Sequence, residues 1–259
     1  MSASRSGPTP ASPYPSPAPH RPAVGEDTSP GGAPPGRPLA LRGCFVTATD
    51  TGVGKTVLSA ALVAALRARG LPVHARKPLV TGLQDGPPLD HELLAAVSGE
   101  SPDAVSPWRY GPAVSPHLAA ELAGERIDAA ALIADVRAAG QPVIVEGIGG
   151  LLVPLAQDWD VRRLARELGL GVVIAARPGL GTINHTLLTL EAARTAGLDL
   201  RAVVLTPWPE DPGPIERSNA ATIERLGGVA VATLPALAEL SAATLAAAGA
   251  GLPYESWLV

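Results

Sequence analysis

Cysteine and lysine are nearly absent from this sequence. Cys44 is the only cysteine in 259 residues, so no disulfide can close within the chain. The five histidines are scattered, and no spacing gathers metal ligands. There is no basic block to serve as a footprint on nucleic acid, and the formal net charge is −4. No apolar run reaches the roughly 18 residues that a membrane-crossing helix needs, and none near the start reads as a secretory signal. A disulfide scaffold, a nucleic-acid binder and a membrane span are thereby excluded. The expectation is a cytoplasmic protein with neither nucleic acid nor membrane among its partners.

The scarcity of lysine is more specific. Of 20 basic residues 18 are arginine, and the only lysines are Lys55 and Lys77. In so arginine-biased a chain each lysine invites a reason. A compact ammonium on a flexible stem enters phosphate crevices where a planar guanidinium fits poorly.

Composition divides the chain in two. Residues 1–38 are rich in proline, serine and glycine with almost no apolar residues. Such a segment buries too little surface to offset its conformational entropy, so a disordered tail is expected; translation from an upstream start would look the same. Residues 39–259 are long enough for one large domain. There, short β-branched runs such as "GCFVTA", "LPVHARKPL", "QPVIVEG", "LGVVIAARP", "LRAVVLT" and "VAVATLP" alternate with alanine- and leucine-rich helical stretches, while "IGGLLVPLAQD" reads as a glycine-led loop. Nearly continuous apolar strands separated by helices predict an α/β fold: three layers, α/β/α, around a mostly parallel, doubly wound sheet. In such sheets ligands bind beyond the carboxyl ends of the strands. Lys55 and Thr56, Lys77, Glu146, Gly179 to Thr182 and Thr206 all follow predicted strands, and so should share one edge.

The stretch "CFVTATDTGVGKT", residues 44–56, links a strand to a helix. It ends like a phosphate-binding loop, which makes the fold P-loop NTPase-like, but Thr49 stands where G-x-x-x-x-G-K-[ST] requires glycine. Backbone amides and the helix N-terminus would supply positive potential to phosphates. Lys55 would neutralise the β- and γ-phosphates, and the Thr56 hydroxyl would bind Mg²⁺. Gly52 and Gly54 keep the backbone accessible.

Residues 48–56 resemble the loop of dethiobiotin synthetases, G-T-x-T-x-V-G-K-T, which has one residue more between the first glycine and GKT. Ala48 alone departs from that pattern, at the first glycine. The resemblance runs over essentially all of residues 44–259. "KPLVTG" is similar to the family's K-P-x-x-[ST]-G, "SPHLAA" to its S-P-H segment, "VEGIGGLLVPL" to V-E-G-A-G-G-x-x-x-P-L with Ile148 in place of alanine, and "GLGTINHTLLT" to a segment of nearly the same sequence.

The resemblance implies closure of a cyclic urea. CO₂ adds to one amine of 7,8-diaminopelargonate to give a carbamate, ATP phosphorylates it, and the second amine displaces phosphate to give dethiobiotin. Mg²⁺ is the implied cofactor, and ATP or another nucleoside triphosphate the co-substrate. Lys77, Lys55 and Thr51 are the expected catalytic residues. The triphosphate and its metal fall to Gly52, Val53, Gly54, Lys55, Thr56 and Val57, to Asp90, and to Glu146, Gly147, Ile148 and Gly149. Thr56, Asp90 and Glu146 form the expected oxygen shell of the metal. Thr51, Lys77 and Thr81 would hold the reacting end of the substrate. Leu180, Gly181, Thr182 and Ile183 of the other subunit would hold its carboxylate, which implies a homodimer. For the base, the family's Asn-Asp pair is replaced by Thr206 and Pro207. Pro235, Ala236 and Leu237 align with its contact segment, and Ala242 falls where some members carry a carboxylate for the ribose. Relaxed nucleotide preference is therefore expected.

Two other classes share the loop. A glutamine-dependent P-loop amidoligase normally needs a cysteine nucleophile, and Cys44 sits on the strand before the loop. A partition-type switch ATPase carries a signature lysine where this chain has Asp50.

Overall fold

The computed structural model describes residues 41–86 and 90–259; the segment 1–38, expected to be disordered, lies outside the described residues. The strands are β1 (Gly43–Ala48), β2 (His74–Arg76), β3 (Leu79–Val80), β4 (Trp108–Arg109), β5 (Val143–Glu146), β6 (Pro154–Ala156), β7 (Trp159–Asp160), β8 (Gly171–Ala176), β9 (Leu200–Trp208) and β10 (Val231–Pro235). The helices are α1 (Lys55–Ala68), α2 (Asp90–Ser98), α3 (Pro102–Val105), α4 (Pro116–Leu122), α5 (Ala129–Ala138), α6 (Val161–Leu168), α7 (Thr182–Thr195), α8 (Pro214–Gly227) and α9 (Ala242–Ala250).

Among the described residues six strands form the central sheet in the order β10-β9-β8-β1-β5-β2, every neighbouring pair parallel. Alternation along the strands fills both faces. Cys44, Val46 and Ala48 of β1 join Val173 and Ala175 of β8 in a core under α1, α2 and α9. Phe45, Val172, Ile174 and Ala176 point the other way, into a core under α5, α6, α7 and α8. Burying each large side chain contributes about 1.5–3 kcal/mol, so a sheet covered on both faces is self-supporting. Cys44 is wholly buried, and burial pushes its thiol up to about 12, which rules it out as a nucleophile.

Local signals set several helix starts. Asp128 accepts from the amides of Ala130 and Ala131 to cap α5, and Asp160 accepts from the Arg163 amide to cap α6. Two segments depart from expectation. "LPVHARKPL" is not one strand: β2 stops at Arg76, the Lys77 amide donates to the Val105 carbonyl, and Pro78 has no N–H for the ladder. The chain then leaves the sheet and pairs β3 with β4. Within "IGGLLVPLAQD", the start of a small antiparallel hairpin appears, β6 pairing with β7.

Because the six strands are parallel, their carboxyl ends share one edge. Lys55 and Thr56 lie beyond β1, Lys77 beyond β2, Glu146 closes β5, and Gly179 to Thr182 follow β8. Thr206 lies inside the last part of β9 and not after it. Among the described residues no helix is long and apolar enough to cross a membrane.

Candidate active site

The loop after β1 is held by backbone pairing and by one aspartate. The Thr49 amide still donates to the Ala175 carbonyl, so the chain leaves the sheet only after Thr49. Ala48 is fully buried within the strand, paired with Ala175. The glycine it replaces is thus not needed for a left-handed backbone. Gly54 is the opposite case: its φ is 92°, and a Cβ there would lie 3.0 Å from the Thr206 side chain. Asp50 ties the loop together. Its Oδ1 accepts from the Thr51 amide at 2.7 Å, its carbonyl from Lys55 Nζ at 3.1 Å, and its Oδ2 from Arg177 Nη2 at 3.1 Å.

Facing the loop is a cluster of buried charge. Lys77 Nζ donates to Asp90 Oδ2 and to Glu146 Oε1, each at 2.5 Å. The Thr56 hydroxyl donates to the same Glu146 oxygen at 2.9 Å. Lys55 is also buried, and burial lowers its pKa against the pull of Glu146. Burial works on Lys77 in the same direction, but the charges of Glu146 and Asp90 outweigh it and its pKa is raised. Burial pushes the Asp90 carboxyl up, and the adjacent Lys77 ammonium more than reverses this. Taking such charges out of water costs several kcal/mol per ion, so the cluster is a poor device for stability and a good one for meeting charged ligands.

The cluster also fits a hard cation. Among the described residues no three or more His, Cys, Asp or Glu side chains gather into a metal cage. What converges is two carboxylates and a hydroxyl, and the buried Glu146 Oε2 has no hydrogen-bond partner. So small an oxygen set suits Mg²⁺, which keeps several waters and takes further oxygens from phosphates.

A cavity of about 750 Å³ opens over these groups. It brings together Thr51, Gly52, Gly54, Lys55, Thr56, Val57, Lys77, Thr81, Asp90, Ile148 and Gly149. Val80, Gly82, Gly86, Ala113, Val114, Ser115, Pro116 and Val153 complete its wall, with Ser115 the one polar side chain among them. Of these, Ser115 and Pro116 had a sequence signal in the S-P-H resemblance and Gly82 in the K-P-x-x-[ST]-G one. A hollow of similar size, about 720 Å³, beside Trp159 and Arg162 holds none of the predicted residues.

The remaining predicted residues lie elsewhere. Val53 and Gly147 are buried beneath the loops. Thr206 is buried against Gly54, and Pro207, Pro235 and Ala236 are exposed beside it, with Leu237 half-buried. Leu180 to Ile183 do not line this cavity within the chain. Leu180 is 93% exposed, Gly181 takes a φ of 90°, and Thr182 is buried with its hydroxyl 3.4 Å from that of Thr186. Two residues that the sequence reading passed over act on this segment: Arg177 through Asp50, and Asn219, whose Nδ2 donates to the carbonyls of Pro178 and Gly179.

The chain is similar to known proteins. A family model described as an AAA domain matches residues 42–244. An ATP-dependent dethiobiotin synthetase of Anaeromyxobacter sp. (strain Fw109-5) is 44% identical over 73% of this chain and 86% of its own. That of Mycobacterium avium (strain 104) is 42% identical over 82% of this chain and 96% of its own. That of Haloferax mediterranei is 42% identical over 74% and 83%.

Proposed function

We infer the working of this site from one premise: the chain belongs to the ATP-dependent dethiobiotin synthetases. It is a ligase of biotin biosynthesis that makes dethiobiotin at the expense of ATP, and the switch ATPase and amidoligase readings are not favoured. The observation that best supports the site is the convergence of Lys55, Lys77, Thr56 and Asp90 on one cavity edge, with the buried Glu146 beneath them bonded to Lys77 and Thr56.

In our reading the loop amides and Lys55 hold the triphosphate, with Lys55 already fixed by the Asp50 carbonyl. The diamine lies across the cavity, its reacting end toward Thr51, Lys77 and Thr81 and its alkyl chain along Val80, Val114 and Val153. Once CO₂ has converted one amine to a carbamate, Lys77 faces that anion and Lys55 the transferring phosphoryl group. Both stabilise charge without being asked to move a proton. The second amine then attacks the carbamic–phosphoric anhydride, the C–N bond forms, and phosphate leaves. Thr56, Asp90 and Glu146 would hold Mg²⁺, which when bound neutralises phosphate charge.

The site is completed by a second copy of the chain. Leu180 to Ile183 lie outside the cavity, and the first turn of α7 leaves amides without intrahelical partners. An almost fully exposed Leu180, with Leu188 61% exposed one face further along α7, fits burial against a partner. We assign this segment to the partner's substrate carboxylate. Thr206, Pro207 and Pro235 to Leu237 form the shelf for the base. The shelf carries no side-chain amide to pair with adenine.

The test is phosphate release with MgATP and bicarbonate, with and without 7,8-diaminopelargonate, and the product identified by mass. Release that depends on the diamine, with dethiobiotin formed, is expected. Hydrolysis indifferent to the diamine would refute the assignment.

A further inference from the structure

The segment after β8 is held in place by one buried side chain from another helix. Asn219 of α8 is 8% exposed, and its Nδ2 donates to the carbonyls of Pro178 at 2.8 Å and Gly179 at 3.2 Å. An amide nitrogen carries two N–H groups, and here both face consecutive carbonyls. The same Gly179 carbonyl also accepts from the Thr182 amide at 3.2 Å, closing the turn that opens α7. On α8 the buried residues are Asn219, Ile223 and Gly227, at four-residue spacing. A polar residue therefore occupies a position that packing alone would give to an apolar one. Burying an amide without partners is costly, and the two carbonyls it meets belong to the turn and to nothing else in α8's own fold.

We propose that Asn219 is a positioning residue for the substrate carboxylate: it fixes the Pro178–Gly179 turn and through it the amides at the start of α7. The proposal rests on the reading of Leu180 to Ile183 as the carboxylate site. Asn219 touches no reacting atom, and Lys55, Lys77 and Glu146 are held by contacts in which it takes no part. Loosening the turn therefore weakens diamine binding and spares the phosphoryl chemistry.

The experiment compares wild type with Asn219→Ala and with Asn219→Asp, which keeps the shape but sets an acceptor against two carbonyls. The substrates are 7,8-diaminopelargonate and 2,3-diaminononane, in which a methyl replaces the carboxylate. Both variants should raise the KM for 7,8-diaminopelargonate roughly 10- to 100-fold, as misplacement of a binding group does. The KM for ATP and kcat should stay within about threefold, since contacts made equally in ground and transition states act on KM. With 2,3-diaminononane, variants and wild type should be alike. If wild type handles both diamines equally, the carboxylate site itself is wrong. If wild type discriminates but the variants lose equally on both diamines, or lose kcat, Asn219 is not a positioning residue for the carboxylate. If neither variant folds, its role is structural and the proposal falls.

Discussion

The two segments proposed to bind anions are built in opposite ways. The loop after β1 is finished within the chain: Asp50 fastens it, Lys55 and Lys77 are buried, and Glu146 is shared by Lys77 and Thr56. The segment after β8 begins in the same manner, with a glycine in left-handed conformation leading into a helix, yet it carries an exposed Leu180 and no charge cluster. On the proposed function one segment meets a changing charge, so its counter-charges must be preorganised and shielded from water. In our reading the other meets a carboxylate that does not react. Amides and a fixed turn suffice there, and in our reading its shielding comes from the partner.

Breaking the finished segment should have the largest effect. Lys77→Met should lower kcat by about 10²–10³-fold while ATP still binds, because a charge aimed at the transition state is lost. Lys77→Arg should recover little, since a planar guanidinium does not fit between Asp90 and Glu146; full activity in this variant would remove the argument from lysine scarcity. Next in size, Leu180→Asp should weaken the dimer and lower activity by roughly tenfold or more at dilute protein concentrations, as a buried unpaired charge does at an interface. An unchanged sedimentation profile would contradict this.

The shelf for the base sharpens the comparison. ATP, CTP and GTP should give kcat/KM values within about tenfold, because a site without paired hydrogen bonds discriminates weakly. A strong ATP preference in side-by-side turnover would show that backbone groups read adenine.

A stability effect is expected at the edge of the sheet, away from the chemistry. Glu100 caps the free edge of β2, accepting from the Ala75 amide, Arg76 and His74, while Asp135 lies on the far side of Arg76. Burial raises the Glu100 pKa, but these donors outweigh it and hold the group below the usual 4.5. A depressed carboxylate adds stability above its unfolded value, lost as pH falls through the folded one. Glu100→Gln should therefore cost about 2 kcal/mol near neutrality, the gap from wild type closing below about pH 4.5 in urea titrations. Smallest of all, Ala48→Gly should change activity by less than about twofold, because an extended strand position does not need glycine.

Much of this was legible in the sequence. The nearly continuous apolar runs of β1 and β8, the glycine pair Gly52 and Gly54 before Lys55, and the two isolated lysines pointed to the sheet, the loop and the cavity edge. The turn of the chain at Lys77 was not legible, because two-residue strands such as β3 and β4 show no periodicity. Nor was the Asp50–Arg177 pair, whose members stand 127 residues apart. Asn219 was visible in principle, as a polar residue on the four-residue spacing of α8's buried face. Its partners are carbonyls, which no side-chain pattern announces.

The most direct test of a site divided between two chains is complementation. Lys77→Met removes the charge of the finished segment. Gly181→Asp sets a negative charge at the other and, at a φ of 90°, also strains its backbone, although a Cβ there meets nothing within 4 Å. Each variant alone should be nearly inactive. An equimolar mixture, its mixed dimers confirmed by native mass spectrometry, should recover roughly a quarter of wild-type activity, since half the dimers are mixed and each has one intact site of two. Confirmed mixed dimers with no recovery would show that both segments serve the same chain.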